Sequence, residues 1–304
     1  MFTNFPQTAV EALEWGWSRY QPYFEELNNR QLTAETVKDW LADWSRCISL
    51  VYEVRYRLEL ATLIDTADEA AKKRYDAYLE DVAPGFEPAN QQLKEKLLGS
   101  QLEVPDFEIP LQKMRWEAEI YRAENVPLLT EERKLSNEYF EITGAQTVQW
   151  QGEEVPIQRL YPFLEDRDRA VREKAYQTLF ERRLQDREKL NEVWVRLLEV
   201  RGKMAKNAGF DEYRSFRWKQ LGRLDYTPAY TKRFHEAVEE AVLPAVKRLY
   251  EKRRAKLGVE RLRPWDLMVD PDNRPPLRPF EKVAEMNAGL STMFHALDQK
   301  LGSY

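Results

Sequence analysis

TAETVKDWLADWSRCISLVYEVRYRLELATLI, residues 33–64, is the stretch whose reading decides the fold class. Apolar side chains recur at Val37, Trp40, Leu41, Trp44, Cys47, Ile48 and Val51, then through Leu58 to about Ile64. Steps of three and four put them on one face of a long helix, opened by Thr33 as a plausible N-cap. Such a face is not stable alone, so this helix is expected to pack against others like it. Cys47 lies on the stripe and reads as a small buried hydrophobe rather than a nucleophile. It is the only cysteine, which excludes an intrachain disulfide and a cysteine-based zinc site.

The same periodicity runs outward in both directions. A first helix is predicted over about 7–28. Thr66 to Glu69 reads as a capping box opening a third helix, which Pro84, Gly85 and Pro88 should break. ANQQLKEKLLGS is predicted as a short helix ending near Gly99, followed by the linker-like LEVPDFEIP. Helical patterning resumes around Leu111, and TEERKLSNEYFEI stops at Gly144. The period then changes to alternation in TVQWQGEEVPIQRL, centred on Gly152, which predicts one small β-hairpin near 147–158. A single charged helix is expected from Asp166 towards Lys206, with Asn207 to Gly209 as its stop. Thr227 and Pro228 give a clean start to another helix, with a kink expected at Pro244. A last amphipathic helix carries Phe280, Val283, Met286, Leu290, Phe294 and Leu297.

Composition narrows the function classes. The 304 residues are 43% hydrophobic and 33% charged, a globular balance rather than a disordered one. Eleven glycines are few for this length, in keeping with long helices. The net charge of −5 gives no electrostatic reason to expect nucleic acid. KRLYEKRRAKLG, with six basic residues from Lys247 to Lys256, reads as a solvated helix end whose cations complement the helix dipole. The N-terminal stretch lacks a basic region followed by an apolar core, and no apolar run approaches a membrane span. A cytoplasmic protein without a membrane partner is the expectation.

RFHEAVEE, residues 233–240, begins like the zinc-peptidase signature H-E-x-x-H, but Glu239 stands where the second histidine belongs. A hydrolytic zinc site needs three protein ligands and an open position. The chain holds two histidines, His235 and His295, sixty residues apart. His235 flanks the stripe Phe234, Val238, Ala241, Val242, Ala245 and Leu249, so a boundary histidine is the simpler account. An altered metal site on His235 and Glu239 is the weaker alternative. G-x-S-x-G, G-x-x-x-x-G-K-[ST] and G-x-G-x-x-G are all absent. The residues by themselves therefore predict a soluble, mostly helical protein without a visible catalytic centre.

The wording of residues 207–267 adds more. Gly209, Phe210 and Tyr213, then LGRLDYT, then VLPAVKRLYEKRR, then LRPWDL resemble the start of the catalytic region of the oligoendopeptidase F type of zinc metallopeptidases, relatives of thimet oligopeptidase. LYPFLEDRDRAVREKAYQTLFERR, residues 160–183, resembles that family's N-terminal accessory domain, most clearly in DRDRAVREKAY. The resemblance implies a mainly α fold: a helical N-terminal lobe at 1–107, an accessory domain at 108–200, and at 201–304 the first helices of a clamshell-like zincin peptidase domain. It implies a metalloendopeptidase that hydrolyses oligopeptides with a zinc-activated water. In that family the H-E-x-x-H helix and a further glutamate ligand come later than any residue matched here. No catalytic or metal residue is carried over, the substrate-binding residues are unknown, and zinc is expected only in the full-length parent. Oligopeptides and the chain's own missing C-terminal half are the implied partners. A non-catalytic helical module that binds peptides or a protein is the alternative.

Overall fold

A long helix does form on the 33–64 stripe. The computed structural model describes residues 2, 5–223, 225–275 and 277–303; Met1, Thr3, Asn4, Leu224, Pro276 and Tyr304 lie outside them. In it, α2 spans Val37–Ile64 and buries Val37, Trp40, Trp44, Cys47, Val51 and Leu58. Thr33 sits one turn ahead, its carbonyl accepting from the Val37 N–H at 3.0 Å. The first helix is shorter than its pattern suggested. A 3-10 turn at Ala9–Ala12 precedes α1 (Trp17–Asn29), with Gly16 in extended backbone as the N-cap between them. No described helix is long and apolar enough to cross a membrane.

The third helix departs from expectation at both ends. Its N-cap is Asp68, not Thr66: the Asp68 carboxylate accepts from the N–H groups of Ala70 and Ala71, and α3 runs Glu69–Ala77. A carboxylate two residues closer to the first turn reaches those donors where Thr66 does not. The prolines do not break the chain into loops either. A π-helical turn at Tyr78–Val82 leads directly into α4 (Ala83–Gly99), where Pro84 sits in the first turn and needs no donor. Gly85 lets α4 approach α1 closely, since a Cβ there would lie 2.4 Å from the Trp17 ring.

After the 100–107 connection come α5 (Glu108–Ile120) and α6 (Asn125–Gly144). The hairpin forms as read: β1 (Thr147–Trp150) pairs antiparallel with β2 (Glu153–Pro156), Val148 opposite Val155. Gln151 and Gly152 both have positive φ, 54° and 92°, the geometry a two-residue hairpin turn requires. The predicted single helix from Asp166 is two, α7 (Arg169–Gln185) and α8 (Arg187–Asn207). Asp186 interrupts them. Its carboxylate accepts from Gln146 Nε2 at 3.0 Å and Arg182 Nη1 at 2.5 Å, and this buried polar knot fixes a break that periodicity does not register. Next come α9 (Tyr213–Gln220), α10 (Pro228–Leu257), α11 (Val283–Leu297) and the short α12 (Gln299–Gly302).

The chain divides into two units, Met1–Leu160 with Gln177–Pro244, and Tyr161–Tyr176 with Ala245–Tyr304. The first unit has two apolar cores. In one, Trp40 and Trp44 fill the centre among Tyr20, Leu27, Leu79 and Phe86, and their indole N–H groups donate to Leu27 O and Asn90 Oδ1. Rings this large dominate a core, and satisfying the N–H removes the penalty of burying it. Burial, then the neighbouring Asp43, pushes the Cys47 thiol up to about 12, which keeps it protonated and inert. The other core gathers Leu135, Val193, Val200, Met204 and Phe216. In the second unit, Leu164, Ala175 and Val269 are buried beside two charged residues, Arg172 and Asp266. α10 and α11 bury none of their residues.

Candidate binding pocket

The zinc-like sequence RFHEAVEE lies in α10, and His235, Glu236 and Glu239 are all exposed there. His295, on α11, is also exposed and donates through Nδ1 to Ser291 O at 2.8 Å, a contact within its own helix. No three His, Cys, Asp or Glu side chains converge among the described residues. Among the described residues the donors do not fit a zinc ion, because His235 and Glu239, two ligands on one exposed helix turn, would leave most of the coordination shell to water.

Two stretches singled out in the sequence, DRDRAVREKAY and LRPWDL, meet in the second unit. Asp266 is fully buried. Its Oδ1 accepts from Arg169 Nε and Arg172 Nη2, each at 3.0 Å, and its Oδ2 from Arg169 Nη2 and the Arg263 N–H, each at 2.9 Å. Arg172 spends its other donors on the carbonyls of Trp265, Asp166 and Arg167. Burial alone would raise the Asp266 carboxyl; the hydrogen bonds from Arg169, Arg263 and Arg172 outweigh it and hold the group at about 2. With its oxygens satisfied and closed to water, this cluster is a structural tie and not a reactive centre.

The first unit contains a cavity of about 240 Å³ with a different character. α4 lines it with Glu87, Gln91 and Lys94, and α6 with Asn125, Leu129 and Arg133. Steps of four and three place each set on one helix face, and these two faces turn mostly polar groups inward. Glu87 pairs with Arg133 at 3.1 Å, and Lys94 with Glu117 of α5 at 2.6 Å. Gln91 and Asn125 are buried. Asn125 donates to Met204 O at 3.0 Å and accepts from Asn207 Nδ2 at 2.8 Å, so it is held rigidly. Ile120, Leu129, Met204 and Phe216 supply an apolar portion of the wall. Burial, then the Glu87 charge, pushes the Tyr52 hydroxyl up to about 12, and the same two causes raise Tyr121.

This arrangement is what a binding pocket needs: apolar surface, a few fixed polar groups and charges of both signs. Sequence patterning does not find it, because Glu87, Gln91 and Lys94 look identical to a solvated helix face until the neighbouring helices are in place. The buried amides Gln91 and Asn125 were the available hint, and only burial makes them informative.

Residues 163–297 match the model described as peptidase family M3. Among solved structures, the chain superposes on PZ peptidase A with an inhibitor, at TM-score 0.84 and 23% identity, covering 100% of this chain and 54% of that one. It also superposes on a Bacillus anthracis chain described as an oligoendopeptidase F, at TM-score 0.76 and 20% identity, covering 99% and 56%. Oligoendopeptidase F from Enterococcus faecium follows at TM-score 0.67 and 18% identity, covering 97% and 63%. The chain thus spans little more than half the length of the first structures it matches. No match is found among curated proteins. The resemblance to the oligoendopeptidase F type is borne out, as is the mainly α fold with, among the described residues, one hairpin.

Proposed function

We propose that this chain, alike to the M3 peptidases over 163–297, is the N-terminal part of a zinc-dependent oligoendopeptidase that cleaves short peptides. In this reading residues 1–107 form the helical lobe, 108–200 the accessory domain, and 201–304 the opening of the peptidase domain. Zinc, the H-E-x-x-H helix and the metal-activated water belong to the remainder of the parent, the setting is cytoplasmic, and the 304 residues alone are inactive. The chain's own contribution is to shape and bind: it supplies wall and lid helices to a groove that admits flexible peptides.

The observation that carries this reading is the state of α10 and α11. Both fall largely within the stretch that matches the peptidase model. Yet α10 exposes Phe234, Val242, Leu243 and Leu249, and α11 exposes Val283, Met293, Phe294 and Leu297. Apolar stripes of this size on amphipathic helices are ordinarily covered by protein. The rest of a peptidase domain would cover them.

The test is to read the open frame downstream, express its product, and assay both it and the 304-residue chain on fluorogenic oligopeptides with zinc. Hydrolysis by the longer product alone is expected. A continuation without H-E-x-x-H, or a longer product with no activity, would overturn the proposal. One observation favours the second reading, a non-catalytic peptide- or protein-binding module: the first unit has its own cores and its own polar pocket.

A further inference from the structure

We infer that the pocket between α4, α5 and α6 binds a short zwitterionic peptide of about three residues, held by its two charged ends. The inference rests on how the charges are placed and does not depend on the peptidase reading.

Charged side chains facing a shared cavity are costly unless paired, and apolar residues would serve packing at least as well. Here two ion pairs of opposite sense face one space. Neither is saturated. Among the described residues Arg133 donates through Nη2 alone, to Glu87, so the rest of its fork has no protein acceptor and can serve a carboxylate. Glu117 receives Lys94 on Oε2, leaving Oε1 open to an ammonium. The hydroxyls of Tyr52 and Tyr121, both in the lining, have no hydrogen-bond partner among the described residues and are available to peptide groups. The apolar portion formed by Leu129, Met204 and Phe216 accepts an aliphatic side chain.

The ligand's length is taken from the interval along α4 between the two pairs. Glu87 and Lys94, which mark the two pairs, lie seven residues apart on α4, or about 10 Å at the helical rise. An extended tripeptide also spans about 10 Å. Its carboxylate reaches Arg133 while its ammonium reaches Glu117. A free amino acid, with its charges separated by a single Cα, is too short for an interval of that length.

The experiment is calorimetric titration of the 304-residue chain with Gly-Leu-Gly, its N-acetylated form, its C-amidated form, and free leucine. Saturable binding of Gly-Leu-Gly is expected, weakened about tenfold or more by either blocking group and by reduction to leucine. Blocking the ligand leaves the protein untouched, so loss of fold cannot imitate the result. Arg133→Met should lower affinity for Gly-Leu-Gly to that of the C-amide and leave the C-amide unchanged. Glu117→Gln, at a half-exposed position where folding is not at stake, should do the same for the N-acetyl form. No saturable heat up to roughly millimolar peptide, equal affinity for blocked peptides or leucine, or unaltered binding by both variants would each overturn the inference. Hydrolysis is not read, so this outcome and the peptidase assay fail separately.

Discussion

Arg172 and Asp266, ninety-four residues apart in the chain, form an ion pair at 3.0 Å with side chains 3% and 0% exposed. Arg169 reaches the same carboxylate from a half-open position, its side chain 41% exposed. Removing one partner of a buried pair strands the other, whereas a solvated partner is replaced by water. Arg172→Ala should therefore cost about 3–5 kcal/mol, and Arg169→Ala should cost less, because its half-open side admits water to the carboxylate oxygens it leaves. Urea unfolding followed by circular dichroism measures both.

The same carboxylate sets an acid limit. Asp266 titrates at about 2 in the folded chain, against about 4 for an unfolded aspartate. The folded form thus binds fewer protons across this window, and its contribution is fully present above about pH 4. It is lost as pH falls through about 2. Thermal melts between those limits should show a falling midpoint, and Asp266→Asn should flatten this slope while lowering stability at neutral pH.

Gly85 gives a steric prediction. A Cβ there meets ring atoms of Trp17 at 2.4–2.5 Å, and an indole packed against Tyr20 and Phe24 has little room to move. Gly85→Ala should destabilise by about 1–3 kcal/mol, although alanine is the better helix former. Gly99→Ala, with nothing within 4 Å of the added carbon, serves as the control in the same denaturation series.

On α11, Leu290 and Phe294 lie four residues apart and are both exposed. Replacing both with glutamate removes apolar surface from water without opening a core. Stability should stay within about 0.5 kcal/mol per site, and any self-association seen by sedimentation velocity should fall. A large loss of stability would mean that this face is packed in solution.

How much of this was legible in the sequence depends on what each feature obeys. The helix at Val37–Ile64 and the turn at Gln151–Gly152 follow from local rules, and both form. Asp186 divides one predicted helix into two because Gln146, forty residues away, meets it, and no local pattern encodes that meeting. The cap at Asp68 displaced Thr66 by a choice between two suitable side chains, which only the path of the chain decides. The resemblance in DRDRAVREKAY and LRPWDL pointed to the family, and the structure adds that Arg172 and Asp266 join the two. The pocket escaped because inward and outward polar stripes read alike.

The π-helical turn at Tyr78–Val82 has one further consequence. Ala83 donates to Tyr78 O, five residues back rather than four, so this turn accommodates one residue more than an α-helical one. Each residue of an α-helix advances the side-chain direction by about 100°. The additional residue therefore resets the angular phase of everything that follows, and with it the direction in which Glu87, Gln91 and Lys94 project. Deleting a single residue from Tyr78–Val82 would leave the sequence of α4 intact and its helicity unharmed, yet rotate those three side chains away from Arg133 and Glu117. The charge layout of the pocket is thus indexed by a register set one turn upstream, like a key cut correctly but held at the wrong angle if that turn is shortened.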